Sequence, residues 1–264
     1  MNTSLTSQTR RFAGRTVLIT GGGSGMGKAA ALRLGREGAN VVIAGRRAAE
    51  LEAVADTIKQ QGGMALGIPA DVSDEKQVQA MVKQTTSTFG ALHMAWNNAG
   101  TLGTVAPIQD TRLDDFDKVM ATNLRGVFSC LKYELAAMLA LGVPGAIVNT
   151  SSWTATGVMP GTSAYAASKA ALDALTRTVA LEVGARQIRI NNVSPGIIAT
   201  PMSSGVLASE TITRPFIKQT ALERIGQPEE VADAVIWLLS DEARFVTGQS
   251  LLVDGGYTIG GLRP

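Results

Sequence analysis

Residues 149–169 read NTSSWTATGVMPGTSAYAASK, and much of the rest of the chain is organised around this stretch. An apolar run at 145–148 precedes it and is typical of a buried strand, so Ser152 lies just beyond a strand end. Glycine and proline in the middle of the stretch predict a loop. The alanine-rich segment that follows has apolar residues at helical spacing. Tyr165 and Lys169 are four residues apart in this predicted helix and therefore share one face.

A serine hydroxyl, a phenol and an ammonium in this arrangement suit proton transfer to a carbonyl or from an alcohol. A free tyrosine titrates near pKa ~10, which is too high for a base at neutral pH, and a nearby cation lowers that pKa. We therefore expect Lys169 to lower the pKa of Tyr165, and Ser152 to hydrogen-bond the substrate oxygen. The alternative is an alanine-rich core helix that carries an incidental tyrosine and lysine.

A glycine-rich turn, residues 21–27, lies between a predicted strand at 16–20 and a helix that runs to about Glu37. Its spacing is Gly-x-x-x-Gly-x-Gly, which differs from the commoner Gly-x-Gly-x-x-Gly fingerprint. Glycines let the backbone approach a pyrophosphate, and the helix N-terminus favours negative charge. The context predicts a phosphate-binding turn; the alternative is a tight turn without a ligand.

Strands and helices alternate along the chain. The predicted strands are residues 16–20, 40–44, 65–68, 92–96, 145–150, 188–193 and 250–253. The predicted helices run from the glycine turn to about 37, over 48–61, 74–88, 113–141 in two parts, from 163 onwards, and over 229–239. Residues 196–220 show no clear periodicity. The pattern predicts a single-domain, doubly wound α/β Rossmann fold with a mostly parallel seven-stranded sheet and helices on both faces. That domain spans 12–264, after a flexible arm at 1–11.

Six separated motifs in this chain resemble those of the short-chain dehydrogenase/reductase family, over about residues 12 to 257. The motifs are the glycine turn, Asn97-Asn98-Ala99-Gly100, Asn123, Ser152, Tyr165 with Lys169, and Pro195-Gly196. The resemblance implies hydride transfer between the nicotinamide of a dinucleotide cofactor and a substrate carbon that bears oxygen.

The resemblance also assigns four catalytic roles. Tyr165 gives or takes the proton of the substrate oxygen, Ser152 positions that oxygen, and Lys169 tunes the phenol and binds the nicotinamide ribose. Asn123 anchors a water that leads to Lys169; from the residues alone, it is equally a helix-packing asparagine. Asparagine is a poor helix former, so we expect a local irregularity there. The thirteen-residue spacing to Tyr165 selects Ser152 over Ser151.

The same resemblance implies a cofactor site with the adenine beside Asp71 and Val72 and the nicotinamide beside Thr200. From the residues alone, a turn at 71–72 and a structural asparagine pair at 97–98 stay open as alternatives. The implied cofactor-binding residues are Gly21, Ser24, Gly25, Met26, Gly27, Arg46, Arg47, Asp71, Val72, Asn98, Ala99, Gly100, Tyr165, Lys169, Pro195, Gly196, Ile198 and Thr200.

The end of the second strand bears on the choice between NADP and NAD. An acidic residue there would bind the ribose 2′-hydroxyl of NAD, and this chain has Gly45 followed by Arg46 and Arg47. A guanidinium binds a 2′-phosphate with charge-assisted hydrogen bonds. NADP is therefore favoured over NAD, although Ser24 occupies a turn position that is often basic in NADP-preferring relatives. The alternative is two solvated arginines at a helix start.

Composition narrows the classes of function. The 264 residues carry 24 Lys plus Arg against 22 Asp plus Glu, a net charge of +2 that gives nucleic-acid binding little support. Cys130 is the single cysteine, so a reducing, cytoplasmic location is expected. The N-terminal residues lack the apolar core of a secretory signal, and no apolar stretch is long enough to span a bilayer. No metal-ligand spacing is visible, and His93 is expected in the core.

The loops predicted to bound the substrate pocket are apolar, so we expect an uncharged, largely apolar ketone or secondary alcohol. The apolar side chains they offer are Leu102, Val105, Trp153, Val158, Met159, Ile197, Ile198 and Met202. A mobile lid at 200–220 that brings Arg214 or Lys218 inward is the alternative.

Other functions left open are an NAD-dependent alcohol or sugar dehydrogenase, an enoyl reductase, and a non-catalytic nucleotide sensor. The alanine-rich helix after Tyr165 and the family's subunit-contacting C-terminus predict a homotetramer.

Overall fold

The computed structural model describes residues 10–259, and seven parallel strands form its single sheet in the order β3-β2-β1-β4-β5-β6-β7. The strands are β1 Thr16–Thr20, β2 Asn40–Gly45, β3 Met64–Pro69, β4 Met94–Asn97, β5 Gly145–Thr150, β6 Ile188–Pro195 and β7 Ser250–Val253. Strand order reverses between β1 and β4. In open parallel sheets, ligands bind beyond the carboxyl ends of strands at such a reversal.

Helices cover both faces of the sheet. They are α1 Gly25–Arg36, α2 Ala48–Gln60, α3 Glu75–Phe89, α4 Leu113–Met120, α5 Gly126–Leu141, α6 Ser163–Val183, α7 Glu210–Gln219 and α8 Pro228–Leu239. Along β1, Val17 and Ile19 belong to an apolar core shared with α1, α2 and α8. Leu18 points the other way, into a second core shared with α3, α5 and α6. This alternation of side chains gives the sheet two buried faces. The doubly wound fold predicted from the sequence is therefore confirmed.

The structure differs from the sequence prediction in several places, which include the bounds of β3 Met64–Pro69 and β4 Met94–Asn97. Residues 196–220, expected to be irregular, contain α7, which has Pro215 in its interior and buries none of its residues. Proline is unfavourable inside a helix, so Pro215 argued against a helix at this position. Strand β6 continues to Pro195, two residues beyond the predicted end. Every pairing between the described strands is parallel, in agreement with the mostly parallel sheet that was expected.

The predicted N-terminal arm lies largely outside the described residues, which begin at Arg10. Its last residue, Arg11, forms ion pairs with Glu37 at 2.7 Å and Glu242 at 3.1 Å. Over residues 10–259, no helix is both long enough and apolar enough to cross a membrane.

Candidate active site

The glycine turn has a backbone that other residues would not adopt without strain. Gly21 and Gly25 have φ of 68° and 51°, in the left-handed region that favours glycine. A Cβ on Gly27 would lie 2.4 Å from the Gly21 carbonyl oxygen, so the start of α1 packs directly on the turn. Asn98 Nδ2 donates to the carbonyls of Thr20 and Gly21 at 3.1 and 3.3 Å. The turn therefore exposes its backbone, without side chains, at the N-terminus of α1. This arrangement fits a dinucleotide pyrophosphate.

A cleft of about 850 Å³ opens from this turn across the carboxyl ends of the strands. Twelve of the predicted cofactor residues line it, namely Gly21, Ser24, Gly25, Met26, Arg46, Arg47, Asp71, Val72, Asn98, Ala99, Gly100 and Thr200. A smaller adjoining cavity is lined by the other predicted residues except Gly27, namely Tyr165, Lys169, Pro195, Gly196 and Ile198. Gly27 acts through its packing on Gly21. The two spaces share Met26, Asn98 and Gly100, so the predicted residues surround one continuous site.

The two arginines after β2 differ in their surroundings. Arg47 forms an ion pair with Glu50 at 2.8 Å and donates to Ser24 Oγ at 3.1 Å. Arg46 is exposed at the cleft, and its guanidinium has no hydrogen-bond or ion-pair partner among residues 10–259. Arg46 is therefore the guanidinium that is free to meet a ligand.

Ser152 lies just beyond β5 and is 5% exposed. Its Oγ accepts hydrogen bonds from both the backbone amide and the hydroxyl of Thr154, at 3.1 and 3.0 Å. A hydroxyl has one proton and two lone pairs, so these bonds occupy the lone pairs of Ser152. Its own proton is left to be donated into the cavity.

Lys169 is 2% exposed and donates to the Thr150 carbonyl at 2.7 Å. Its Nζ lies 5.6 Å from the centre of the Tyr165 ring, on the same helix face as predicted. Burial lowers the pKa of Lys169 to about 8, because the charged form loses hydration.

The expectation that the pKa of Tyr165 is lowered by Lys169 is wrong. Burial of the phenol dominates and raises its pKa, because the phenolate would be poorly solvated. A hydrogen-bonding interaction with Ser152 acts in the opposite direction and is the smaller effect. Tyr165 is therefore a protonated phenol at neutral pH.

Asn123 lies in a π-helical turn, Ala121–Arg125, that joins α4 to α5. The predicted helix irregularity is thus present. Its Oδ1 accepts from the Thr101 amide and its Nδ2 donates to the Thr101 carbonyl, both at 2.8 Å. A Cβ on Gly100 would lie 3.3 Å from Asn123 Oδ1 and 3.5 Å from Lys169 Nζ. Asn123 therefore faces Lys169 across a small gap that glycine keeps open.

A buried polar group behind the site was not anticipated from the sequence. Glu134 on α5 is 0% exposed and accepts from Asn97 Nδ2 at 3.0 Å. Burial raises its pKa to about 8, with the Asn97 hydrogen bond acting against this. Asn97 also donates to Asn149 Oδ1 at 3.1 Å, so Glu134 supports the ends of β4 and β5. The helical spacing of the sequence could have indicated that Glu134 is buried, because it lies four residues from both Cys130 and Met138 on the buried side of α5.

The cavity beside Tyr165 has a volume of about 130 Å³. Six of the eight apolar residues predicted to bound the pocket line it, namely Leu102, Trp153, Met159, Ile197, Ile198 and Met202. Val105 and Val158 do not; they are 54% and 84% exposed. Lys169 is the one charged side chain among the lining residues, and Arg214 and Lys218 are not part of the described wall.

His93 lies at the amino ends of the central strands, away from the cleft, where its Nδ1 accepts from the Thr16 amide at 3.0 Å. It is only partly buried, although we expected it in the core. In the described part of the chain, no three His, Cys, Asp or Glu side chains are grouped to hold a metal ion.

Comparison with known proteins gives consistent matches over nearly the whole chain. A family model described as enoyl-(acyl carrier protein) reductase matches residues 21–258. The chain is 41% identical to cyclohexanol dehydrogenase of Acinetobacter sp. (strain SE19), over 94% of this chain and 96% of that protein. It is 40% identical to levodione reductase of Leifsonia aquatica, over 96% of this chain and 98% of that protein.

Solved structures agree with these matches. A crystal structure of levodione reductase has a TM-score of 0.90 and 39% identity, and the match covers 94% of this chain and 99% of that one. A short-chain type dehydrogenase/reductase from Mycobacterium marinum has a TM-score of 0.89 and 35% identity, with 95% and 98% covered. The chain therefore belongs to the short-chain dehydrogenase/reductase family of oxidoreductases, which use a nicotinamide cofactor.

Proposed function

We propose that this protein interconverts an uncharged, largely apolar ketone and the corresponding secondary alcohol, with NADP(H) preferred over NAD(H). The observation that carries the proposal is the position of Ser152, Tyr165 and Lys169. They line a small apolar cavity that opens into the dinucleotide cleft. A substrate carbonyl in that cavity lies between the proton donors and the space where the cofactor binds.

The bound nicotinamide cofactor supplies or accepts the hydride. The Ser152 proton, freed by the two hydrogen bonds from Thr154, is donated to the substrate oxygen and fixes its place. The Tyr165 phenol, held protonated by burial, gives its proton to that oxygen as the ketone is reduced. In alcohol oxidation the phenol first loses its own proton through Lys169 towards solvent, and the resulting Tyr165 phenolate takes the proton of the alcohol.

Lys169 has three N–H donors, and the Thr150 carbonyl uses one. We propose that the other two serve the cofactor ribose and a water held beside Asn123. This water relays protons between the Lys169 ammonium and solvent, and Lys169 is poised for it by a pKa of about 8. Asn123 is a positioning residue here, because its side-chain amide is already hydrogen-bonded to Thr101 and Ser168.

The apolar cavity wall supports an uncharged substrate, since an anionic group buried there would lack a partner other than Lys169. Two relatives are named for cyclohexanol and levodione, which suggests a ring ketone or ring alcohol. We expect purified enzyme to reduce cyclohexanone-type neutral ketones with a kcat/KM at least tenfold above that for anionic keto acids. Reduced-nicotinamide absorbance measures both. Strong turnover of keto acids with none of neutral ketones would overturn this assignment.

Enoyl reduction is the second candidate, because the matching family model carries that description. The enoyl-reductase branch spaces its tyrosine and lysine more widely than the three residues between Tyr165 and Lys169. A cyclic enone, tested beside the neutral ketones and keto acids, separates the two reactions. Ketone reduction gives the allylic alcohol, and enoyl reduction gives the saturated ketone. A non-catalytic nucleotide sensor would bind the cofactor but would turn over none of these substrates.

Preference for NADP(H) rests on the exposed, unpaired guanidinium of Arg46 and on Gly45, which places no carboxylate at the end of β2. A hydrogen bond to a charged group contributes ~1.5–3 kcal/mol. Arg46→Ala should therefore reduce the ratio of kcat/KM for NADPH to that for NADH by about tenfold to a hundredfold. Arg186→Ala, at the opposite end of the sheet, is the matched control. A wild-type enzyme that uses NADH as well as NADPH contradicts the proposal.

We further propose a homotetramer with two-fold interfaces. Helix α6 exposes a stripe of small residues, Ala167, Ala170 and Ala174, that leads to Leu181, which is 88% exposed. Such a stripe allows two copies of the helix to approach closely about a two-fold axis. Light scattering at micromolar concentration should give a mass four times that of the chain. The Leu181→Arg variant should give a mass twice that of the chain. A monomeric wild-type protein would refute the assembly.

A further inference from the structure

Three aromatic side chains from distant parts of the chain meet behind the substrate cavity. The Tyr257 ring packs edge-on against Trp153, with centroids 4.7 Å apart and planes at 66°. Tyr257 also stacks on Phe216 of α7, with centroids 6.2 Å apart and planes at 23°. Trp153 and Tyr257 are 6% and 7% exposed, so both rings are almost fully enclosed.

Trp153 is the residue next to Ser152, and it forms part of the cavity wall. Two contacts restrict its position. A Cβ on Gly157 would lie only 3.0 Å from Trp153 Cε3, which places the loop backbone directly against the indole. The other contact is the Tyr257 ring, and the place of the indole between these contacts and the cavity helps to set the width of the cavity.

Tyr257 is itself held by a tight turn after β7. The Asp254 carboxylate accepts from the amides of Gly256 and Thr258, both at 2.9 Å, and from the Thr258 hydroxyl at 2.7 Å. The Tyr257 amide donates to the Asp254 carbonyl at 3.1 Å. Gln219 at the end of α7 donates to the Tyr257 carbonyl at 3.4 Å. The turn is thus fixed by its own hydrogen bonds and presents the Tyr257 ring to Trp153.

We propose that Tyr257 is a specificity-determining positioning residue, which limits the substrate to a ring ketone without a bulky substituent by holding Trp153 against the cavity. This inference rests on the proposed ketone reductase function and adds the size limit to it. Tyr257 does not touch the reacting atoms. It acts through Trp153, because in a cavity of about 130 Å³ a large ring substituent competes with the indole for space.

The test compares cyclohexanone with 4-tert-butylcyclohexanone, which adds bulk far from the carbonyl. Tyr257→Ala should raise the ratio of kcat/KM for the bulky ketone to that for cyclohexanone at least tenfold, through a lower KM for the bulky substrate. Tyr257→Phe keeps the ring and should leave the ratio within twofold. Trp153→Ala should give the same relaxation, and adding Tyr257→Ala to it should change the ratio little, because both act through one indole. An unchanged ratio in Tyr257→Ala, or additive effects, would overturn the proposal.

A second measurement does not depend on turnover. In a Trp237→Phe background the remaining indoles are Trp96, which is 0% exposed, and Trp153. Acrylamide should quench the fluorescence of Tyr257→Ala clearly more than that of Tyr257→Phe, and Tyr257→Leu repeats the comparison should the alanine variant fold poorly. Equal quenching shows that Tyr257 does not hold Trp153. Increased quenching in an enzyme that reduces neither ketone supports the positioning role and rejects the proposed reaction instead.

Discussion

Tyr165→Phe should reduce kcat for ketone reduction at least ~10²-fold, the usual contribution of a general acid. The substitution keeps the ring and its packing on α6 but removes the only proton that the phenol can give. Stopped-flow or steady-state absorbance of the reduced cofactor measures the loss, and circular dichroism checks the fold. Cofactor affinity should change little, because the Lys169 ammonium keeps its bond to the Thr150 carbonyl.

Tyr133→Phe is the matched control, since Tyr133 lies on α5 and its hydroxyl bonds Glu75 at 2.8 Å, away from the cleft. That variant should retain wild-type kcat. A folded Tyr165→Phe enzyme with near-normal turnover would show that another group transfers the proton, and the mechanism proposed for this site would have to be abandoned.

Glu134→Gln should make the protein more stable than wild type at alkaline pH. Below the ordinary glutamate pKa of 4.5, Glu134 is neutral in both the folded and unfolded chains, so the two proteins differ little. Between 4.5 and about 8 the unfolded chain releases the proton and the folded chain keeps it. Wild type therefore loses about 1.4 kcal/mol of stability per pH unit through this window, while glutamine stays neutral.

Urea unfolding of both proteins at pH 5, 7 and 9, at equal protein concentration, measures the difference. The free energy of unfolding of Glu134→Gln should exceed that of wild type by several kcal/mol at pH 9, and the gap should close at pH 5. Glu52→Gln, which removes an exposed carboxylate on α2, should show no such gap. A difference that does not change with pH would mean that Glu134 is ionised in the folded protein.

The order of strands and helices was predictable because most of them bury one periodic apolar face. Strand β1 and the start of α6 were placed to the residue. Helix α7 was missed because Pro215 lies in its interior, where proline is unfavourable, and because none of its residues is buried.

The residues of the site were predictable from motif spacing, but their electrostatics were not. Spacing placed Lys169 near Tyr165 correctly, yet the pKa of the phenol is raised, because burial outweighs the influence of neighbouring groups. Burial depends on residues far away in sequence, such as those of the loops after β4 and β6. Glu134 illustrates the same point, since nothing adjacent to it in sequence reveals that Asn97 lies against it.

The Lys169 ammonium is positioned by a hydrogen bond to a main-chain atom, the carbonyl oxygen of Thr150. Every amino acid supplies that oxygen, so the contact survives any exchange at position 150 that preserves the strand. The Thr150 hydroxyl, by contrast, accepts from Trp96 Nε1 at 2.8 Å and is lost on exchange to valine. Exchange at position 150 is therefore limited by the hydrogen bond that its hydroxyl accepts from Trp96, and not by the contact with Lys169. A functional group anchored on backbone is robust to mutation in a way that a side-chain anchor is not.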